Sequence, residues 1–337
     1  MVNILYGDAL AILKDLPSES VNCCITSPPY YNLRNYAVTG QIGLEDTPEE
    51  YIEKLVCVFR EVRRVLRKDG TLWLNIADTY AKSGKEVNRS GAHSTDISKS
   101  SNYLQKTDLI RPAKCEGYKR KDMIGIPWML ALALRNDGWY LRQDIIWYKP
   151  NCMPESVKDH FTKSHEYIFL LSKSEKYYFN HEAVQEPCVG FDKTSPRGNR
   201  GTFAPNAGRR KGNAKSFRGG GTYTCNQSFD NNTKAQRESH GNAPNEKGTR
   251  NRRSVWSVST AQYKEAHFAT FPSKLIEPCI LAGCPQGGIV LDPFIGSGTT
   301  AQVSESLGRN CVGIELNAKY KPLIEKRINN LTEKHKT

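Results

Sequence analysis

Two short stretches carry residues whose types and spacing suit chemistry. The first, TSPPY at residues 26–30, directly follows an apolar run, Val21–Thr26, that reads as a buried strand. An ordinary turn would place Gly, Asn or Asp there. Two prolines and a tyrosine make a rigid loop with an aromatic face instead, because proline fixes φ and holds the neighbouring carbonyls still. The second stretch, GGIVLDPFIGSGTTAQVSESLGRNCVGIELN, has the order strand, glycine loop, helix, strand, acidic residue. That order describes a nucleoside-type cofactor site at the carboxyl end of a parallel sheet. Gly296 and Gly298 let backbone approach a ligand, and Glu315, ending the next strand, can accept both ribose hydroxyls. The loop is not a full GxGxxG and has no P-loop lysine, so taken alone it also fits a plain βα turn.

The elements that must position these stretches read as compact α/β. Strands are expected at Val2–Tyr6, Val21–Thr26 and 71–76, with a short helix after Gly7-Asp8. A helix over 48–67 carries Tyr51, Leu55, Val58, Phe59, Val62, Val65 and Leu66 at helical spacing, with Thr47 as N-cap and Asp69-Gly70 as its end. Beyond 121 come a helix over Ile126–Asn136, a strand pair around 140–148, and strands at 167–171 and 177–180. A helix over Ser273–Gly283, a strand at 289–291, a helix from Thr299, a strand at 311–315 and a final helix from Ala318 complete the pattern. Strands alternating with helices indicate a mainly parallel sheet covered on both faces.

Composition sets the limits. The 337 residues can bury a large core, and the net charge is +13. Residues 82–121 hold ten Lys or Arg against four Asp or Glu, and residues 189–253 hold fourteen against four, so these two stretches sum to +16 and the rest is at −3. A basic face built by two Gly-, Asn- and Ser-rich segments is the footprint of a polyanion binder. The ten cysteines show no C-x-x-C and no Cys/His ligand spacing, so reduced structural thiols and no metal are expected. Neither a signal segment nor a roughly 20-residue apolar span is apparent, so a soluble cytoplasmic protein without membrane contact is expected.

Together the two stretches support an identification. DPFIGSGTT at 292–300 resembles the cofactor loop of S-adenosylmethionine-dependent amino methyltransferases of DNA, and TSPPY resembles that family's catalytic motif. The likeness continues in GDAL, LWLNIADTY, IIWYKPNCMPES, SHEYIFLLSKS and FPSKLIEP, so it covers nearly everything outside the basic stretches. The catalytic motif comes first and the cofactor motif last, which is similar to the permuted beta class. The resemblance implies a Rossmann-like methyltransferase fold, a mainly parallel seven-stranded sheet with helices on both faces, and an inserted target-recognition region. It divides the chain into a catalytic half at 1–81, a basic insertion at 82–122, a continuation at 123–188, a basic target-recognition region at 189–262 and a cofactor half at 263–337.

The resemblance also implies roles. Ser27 and the Pro28 carbonyl accept the amino hydrogens of an extruded base, Pro29 stiffens the loop, and Tyr30 stacks on the base, which is unreachable inside a duplex. An exocyclic amino nitrogen is a poor nucleophile because its lone pair is delocalised. Acceptors that favour a pyramidal nitrogen therefore lower the barrier. S-adenosyl-L-methionine is implied as cofactor, held by Asp8, Phe271, Pro272, Lys274, Asp292, Pro293, Phe294, Gly296, Ser297, Gly298, Thr299, Thr300, Glu315 and Asn317. Asp8, which the resemblance places on the cofactor's adenine amino group, has a helix N-cap as its alternative reading. His165 and Glu166 fit the family pattern and read as a satisfied structural pair. Double-stranded DNA is the implied partner, contacted by Arg197, Arg200, Arg209, Arg210, Lys211, Arg218, Arg250, Arg252 and Arg253. A cognate restriction endonuclease and a monomeric or homodimeric state both stay open.

Ser before Pro-Pro is typical of relatives that modify the N4 of cytosine, and Asp or Asn there of those acting on the N6 of adenine. Cytosine N4 is the expected target, with adenine N6 as the alternative. An RNA or protein amino methyltransferase and a non-catalytic DNA-binding protein are more distant readings. Methylation at a ring carbon would need a thiolate, and neither Pro187-Cys188 nor Pro278-Cys279 lies where such a nucleophile belongs.

Overall fold

The computed structural model describes residues 1–33, 35–36, 38–81, 117–187, 249–260 and 271–334, with side chains of the last helix as far as 328. The chain forms two compact units, Met1–Val184 with Arg253–Thr337, and Gln185–Arg252. Most of the two expected basic insertions lies outside the described residues.

In chain order the strands are β1 (Val2–Tyr6), β2 (Val21–Thr26), β3 (Leu66–Ile76), β4 (Tyr140–Tyr148), β5 (His165–Ser172), β6 (Glu186–Pro187), β7 (Thr249–Arg250), β8 (Val255–Ser257), β9 (Ile289–Asp292) and β10 (Asn310–Glu315). The helices are α1 (Ala9–Asp15), α2 (Pro48–Val65), α3 (Ile126–Asn136), α4 (Ser273–Gly283), α5 (Thr299–Ser306) and α6 (Lys321–Lys334). In the smaller unit, β6 and β7 pair antiparallel.

In the larger unit, eight strands form one sheet in the order β1-β10-β9-β2-β3-β5-β4-β8. The expected seven are joined by the three-residue β8, which runs parallel to β4 at the edge. From β1 to β3 all neighbours are parallel, and β5 is antiparallel to both β3 and β4. The carboxyl ends of β1, β10, β9, β2, β3 and β4 therefore share one edge with the amino end of β5. Helices α1, α2 and α3 pack one apolar cluster of the sheet, and α4 packs another. The result is a Rossmann-like three-layer fold.

Helix α2 shows how local sequence sets an element. The Thr47 hydroxyl accepts from the Glu50 amide at 3.2 Å, Pro48 opens the first turn, and Glu49 and Glu50 there are balanced by Arg63 and Arg64 in the last. Its stripe from Tyr51 to Val65 is buried. The helix ends at Val65 rather than running to Asp69-Gly70. Leu66 is extended and pairs with Val21 of β2, so β3 begins three residues before Asp69 and runs through the turn-like pair.

Three further expectations are corrected. The stretch at 140–148 is one strand, since β5 and β8 supply its two neighbours. Residues 177–180 form no strand: the Tyr178 and Asn180 amides donate to the carbonyls of Asp69 and Ala282, and Phe179 stacks on Trp73. The last helix opens as a 3-10 turn, Ala318–Tyr320, capped by Asn317, before α6 begins. Among the described residues, no helix is long and apolar enough to cross a membrane.

The contact of α4 with the sheet tolerates no added atom at Gly283. A Cβ there would lie 2.5 Å from Trp73 Nε1, 2.8 Å from Thr71 Oγ1 and 3.0 Å from Cys23 Sγ. Trp73 Nε1 already donates to Thr71 at 3.2 Å, so none of these groups yields freely. Gly283→Ala should lower unfolding free energy by about 1–3 kcal/mol in denaturant titration of the full chain. An unchanged midpoint would mean that α4 sits further from the sheet than this.

Candidate active site

Asp292 ends β9, and both oxygens of its 1 % exposed carboxyl turn inward. Thr26, the last residue of β2, donates to Oδ1 at 2.6 Å, as does the Phe294 amide at 3.1 Å, and Thr300 in the first turn of α5 donates to Oδ2 at 2.6 Å. Burial pushes this carboxyl up to about 6, against the pull of the three donors. The bridge joins the end of the TSPPY strand to the glycine loop, 266 residues away in the chain.

The loop itself is shaped by backbone. Gly296 (φ +52°) and Gly298 (φ +85°) are left-handed, and Gly298 caps α5 with Ile324 3.2 Å from where a Cβ would stand. Arg327 of α6 lies buried beneath the loop and donates to the Ser297 hydroxyl at 2.5 Å and its carbonyl at 3.3 Å. Pro293 and Thr299 are buried, and Phe294 packs half-buried against the core.

Glu315, 8 % exposed at the end of β10, faces this loop. Burial raises its carboxyl to about 7, while the amides of Asn317 (2.7 Å) and Gly296 pull it down and Asp292 raises it further. The Gly7 amide donates to the Glu315 carbonyl at 2.9 Å, which brings the GDAL segment to the same edge. There Asp8 is exposed and caps α1 through the Ala11 amide at 2.8 Å. Phe271 and Pro272 lead into α4, with Lys274 exposed on its first turn, and take no part in this hydrogen-bonded set.

The TSPPY loop is anchored on two sides. The Tyr51 hydroxyl of α2 donates to the Pro29 carbonyl at 2.8 Å, and the buried Tyr31 ring packs on Tyr51 at 5.4 Å. On the other side the Tyr30 hydroxyl donates to Glu166 Oε2 at 2.7 Å and lies 3.1 Å from Asn75 Oδ1, while the Ser27 hydroxyl donates to the Tyr30 oxygen at 3.3 Å. Glu166 also accepts from Asn75 Nδ2 at 3.2 Å and from Lys149. The Lys149 ammonium sits 4.3 Å over the Trp147 ring. Burial, then the Glu166 charge, holds the Tyr30 phenol well above its ordinary value, so it stays protonated.

Glu166 does not pair with His165. Adjacent residues of a strand face opposite ways, so Glu166 points with Ile168 and Leu170 while His165 meets Tyr167 edge-on at 5.4 Å. Asn75, Lys149 and Arg327 are site residues that motif reading missed. Lys149 and Asn75 lie inside resembling segments, but their partners are set by sheet order. Of the expected DNA contacts, Arg250 is paired with Glu186 at 2.9 Å, the Arg253 carbonyl accepts from Trp256 Nε1 at 2.7 Å, and Arg252 lies in the smaller unit. Arg197, Arg200, Arg209, Arg210, Lys211 and Arg218 lie outside the described residues.

With this geometry in hand, comparison with known proteins is decisive on family. Residues 21–326 match the N6/N4 methyltransferase profile described as DNA methylase. The Type II methyltransferase M.SmaI of Serratia marcescens is 43 % identical over 96 % of this chain and 90 % of its own length, and M.Cfr9I of Citrobacter freundii is 42 % identical over 96 % and 87 %. Two solved structures share the fold. The cytosine-N4-specific PvuII DNA methyltransferase has a TM-score of 0.58 at 16 % identity, covering 97 % of this chain and 86 % of its own. A Thermus thermophilus protein described as a DNA modification methylase, complexed with S-adenosyl-L-methionine, has 0.53 at 21 %, covering 98 % and 95 %. With its TSPPY and glycine-loop motifs bridged at one sheet edge, this chain belongs to the N6/N4 family of DNA methyltransferases.

Proposed function

We propose that the chain methylates the N4 amino group of cytosine in double-stranded DNA with S-adenosyl-L-methionine as donor. The observation that supports this reading is the Thr26–Asp292–Thr300 bridge, which ties the strand leading into Ser27 and Tyr30 to the glycine loop. The loop fits the cofactor: two left-handed glycines leave backbone open to a ligand, and Glu315 offers a desolvated carboxyl at the next strand end. Asp8, Phe271, Pro272, Lys274, Pro293, Phe294, Ser297, Thr299 and Asn317 complete its surroundings in this reading, with Asp292 and Thr300 shaping the loop from inside. Bound there, S-adenosyl-L-methionine supplies an electrophilic methyl group on a sulfonium.

The protein's own groups then act on the base. Ser27 and the Pro28 carbonyl accept the two amino hydrogens, which draws the nitrogen lone pair out of conjugation and aims it at the methyl group. The Tyr51 bond to Pro29 keeps that backbone from shifting. Tyr30 offers its ring as a stacking face, which offsets part of the cost of extruding the base. Serine at the motif's first position favours cytosine over adenine, and the cytosine-N4 specificity named for the PvuII enzyme accords with it. The Type II relatives favour a partner nuclease cutting the same sequence. The basic segment with Arg197, Arg200, Arg209, Arg210, Lys211, Arg218, Arg252 and Arg253 would neutralise phosphates and read base edges, with Arg250 acting there only if it leaves Glu186.

Three outcomes test this reading. Duplex DNA treated with the protein and methyl-labelled cofactor, then digested and chromatographed, should yield labelled N4-methylcytosine; label in N6-methyladenine alone would overturn the base assignment. Tyr30→Ala should cut turnover roughly ten- to a hundredfold, the worth of one base–aromatic stack, while cofactor affinity stays near that of the intact protein. Equal loss of cofactor affinity would contradict that division of labour.

The third concerns pH. Glu315 protonates below about 7 and then loses an acceptor for the ribose hydroxyls. Cofactor affinity should thus rise between about pH 6 and 8, and Glu315→Gln should remove that rise. Because the folded carboxyl is raised above its unfolded value, the unliganded fold binds the extra proton, and its stability should fall as pH rises from about 4 through about 7. Flat cofactor affinity across this range would place the ribose elsewhere.

A further inference from the structure

Glu166, the second residue of β5, has no role in the reading above, yet its carboxylate accepts three hydrogen bonds beside the TSPPY loop. Its Oε2 takes the Tyr30 hydroxyl at 2.7 Å and Asn75 Nδ2 at 3.2 Å, and its Oε1 takes Lys149. Asn75 is itself fixed by a second donation to the Tyr167 carbonyl at 3.1 Å, and Lys149 by the Trp147 ring, whose Nε1 donates to the Val258 carbonyl at 2.7 Å. Every partner of Glu166 is thus immobilised by a further contact. A carboxylate so held is a fixed acceptor, and a phenol that donates to it is fixed in torsion as well as in place.

The consequence reaches Ser27. A hydroxyl has one proton and two lone pairs, and its rotor turns to suit its neighbours. The Tyr30 hydroxyl faces two acceptors, Glu166 Oε2 at 2.7 Å and Asn75 Oδ1 at 3.1 Å, and the nearer, charged one takes its proton, so the Tyr30 oxygen faces Ser27 as an acceptor, 3.3 Å away. The Ser27 proton points to Tyr30, and the Ser27 lone pairs point away from it. A serine meant to accept an amino hydrogen needs that polarity, since a free rotor would spend part of its time presenting its own proton.

We infer that Glu166, held by Lys149 and Asn75, is a positioning residue that polarises the chain Ser27→Tyr30→Glu166 so that Ser27 meets the target amino group as an acceptor. This rests on the assignment of Ser27 and Tyr30 to the extruded base. No covalent bond and no net proton transfer is involved, because the chain sets orientation before the methyl group moves. The interaction matters most as the amino nitrogen pyramidalises, so its loss appears in kcat rather than in cofactor binding.

The test compares Glu166→Gln, Tyr30→Phe, the double variant, Tyr30→Ala and Ser27→Ala on unmethylated plasmid duplex with tritiated S-adenosyl-L-methionine. Glu166→Gln and Tyr30→Phe should each lower kcat about ten- to a hundredfold, the scale of one charge-assisted hydrogen bond, with the cofactor KM unchanged. The double variant should be no slower than the slower single one, since both break one chain. Wild-type turnover in Glu166→Gln, losses that multiply in the double variant, or a cofactor KM that rises as kcat falls would each overturn the inference. Should Glu166→Gln fail to fold, Tyr30→Phe decides alone, because it keeps the ring and removes only the hydroxyl: full turnover there overturns the chain. Full turnover in Tyr30→Ala and Ser27→Ala would strike the base assignment itself, whereas loss in those two with Glu166→Gln intact would strike this inference alone.

Discussion

A single buried carboxylate holds the site together. Asp292 takes hydrogen bonds from β2, from its own loop and from α5, and these three segments carry nearly all the motif residues. An ionised group at this depth is costly unless every lone pair is occupied, so the segments are held to one arrangement. The arrangement in turn requires β2 beside β9, which the parallel register Cys24 to Leu291 provides. A motif order in which the catalytic strand precedes the cofactor strand by more than 250 residues is then harmless. What matters is which strands are neighbours in the sheet.

From this bridge the edge divides into two electrostatic territories. On the glycine-loop side Asp292 and Glu315 are both desolvated, and Asp292 adds to the displacement of Glu315. In the proposed reading, a sulfonium bound near them relieves that cost. Buried Arg327 pins Ser297 from beneath through its hydroxyl and carbonyl. Around the TSPPY loop the charges are paired within the protein, Glu166 with Lys149, which in the proposed reading leaves neutral hydroxyls and carbonyls to meet an uncharged base. Lys163, half-buried nearby with its ammonium on the Asp78 carbonyl at 3.1 Å, is held below its ordinary range by burial. Asp78 in turn caps α3 through the amides of Gly125 and Ile126, so the same edge also anchors the helix layer.

Much of this was legible in the sequence, and the rest was not for identifiable reasons. Helix α2, with its N-cap, proline and 3.6-residue stripe, could be read because each signal is local and all agree. The glycine loop was legible because left-handed backbone favours glycine, and Gly296 and Gly298 both adopt it. Residues 177–180 misled because a run of aromatics looks like a strand, whereas here Phe179 stacks on Trp73 and the backbone amides bond to β3 and to the end of α4. Asp69-Gly70 misled because turn chemistry was overridden by the pairing of Leu66 with Val21. The partners of Glu166 come from the loop after β2, from β3 and from just beyond β4, and no spacing along one strand reveals which strands will adjoin. Arg327 was silent for the same reason, being an ordinary helical arginine until α6 packs under the loop.

The bridge is tested most directly by removing its donor on the catalytic side and reading the cofactor side. Thr26→Val keeps shape at a fully buried position and leaves Asp292 one hydrogen bond short. If the carboxylate couples the two motifs, S-adenosyl-L-methionine affinity measured by calorimetry should fall about tenfold, although Thr26 lies outside the glycine loop, because a charge-assisted bond is worth about 1.5–3 kcal/mol and part of that loss passes to the loop. Cofactor affinity equal to that of the intact protein, in a folded Thr26→Val variant, would show that the glycine loop stands without the bridge and would contradict the account.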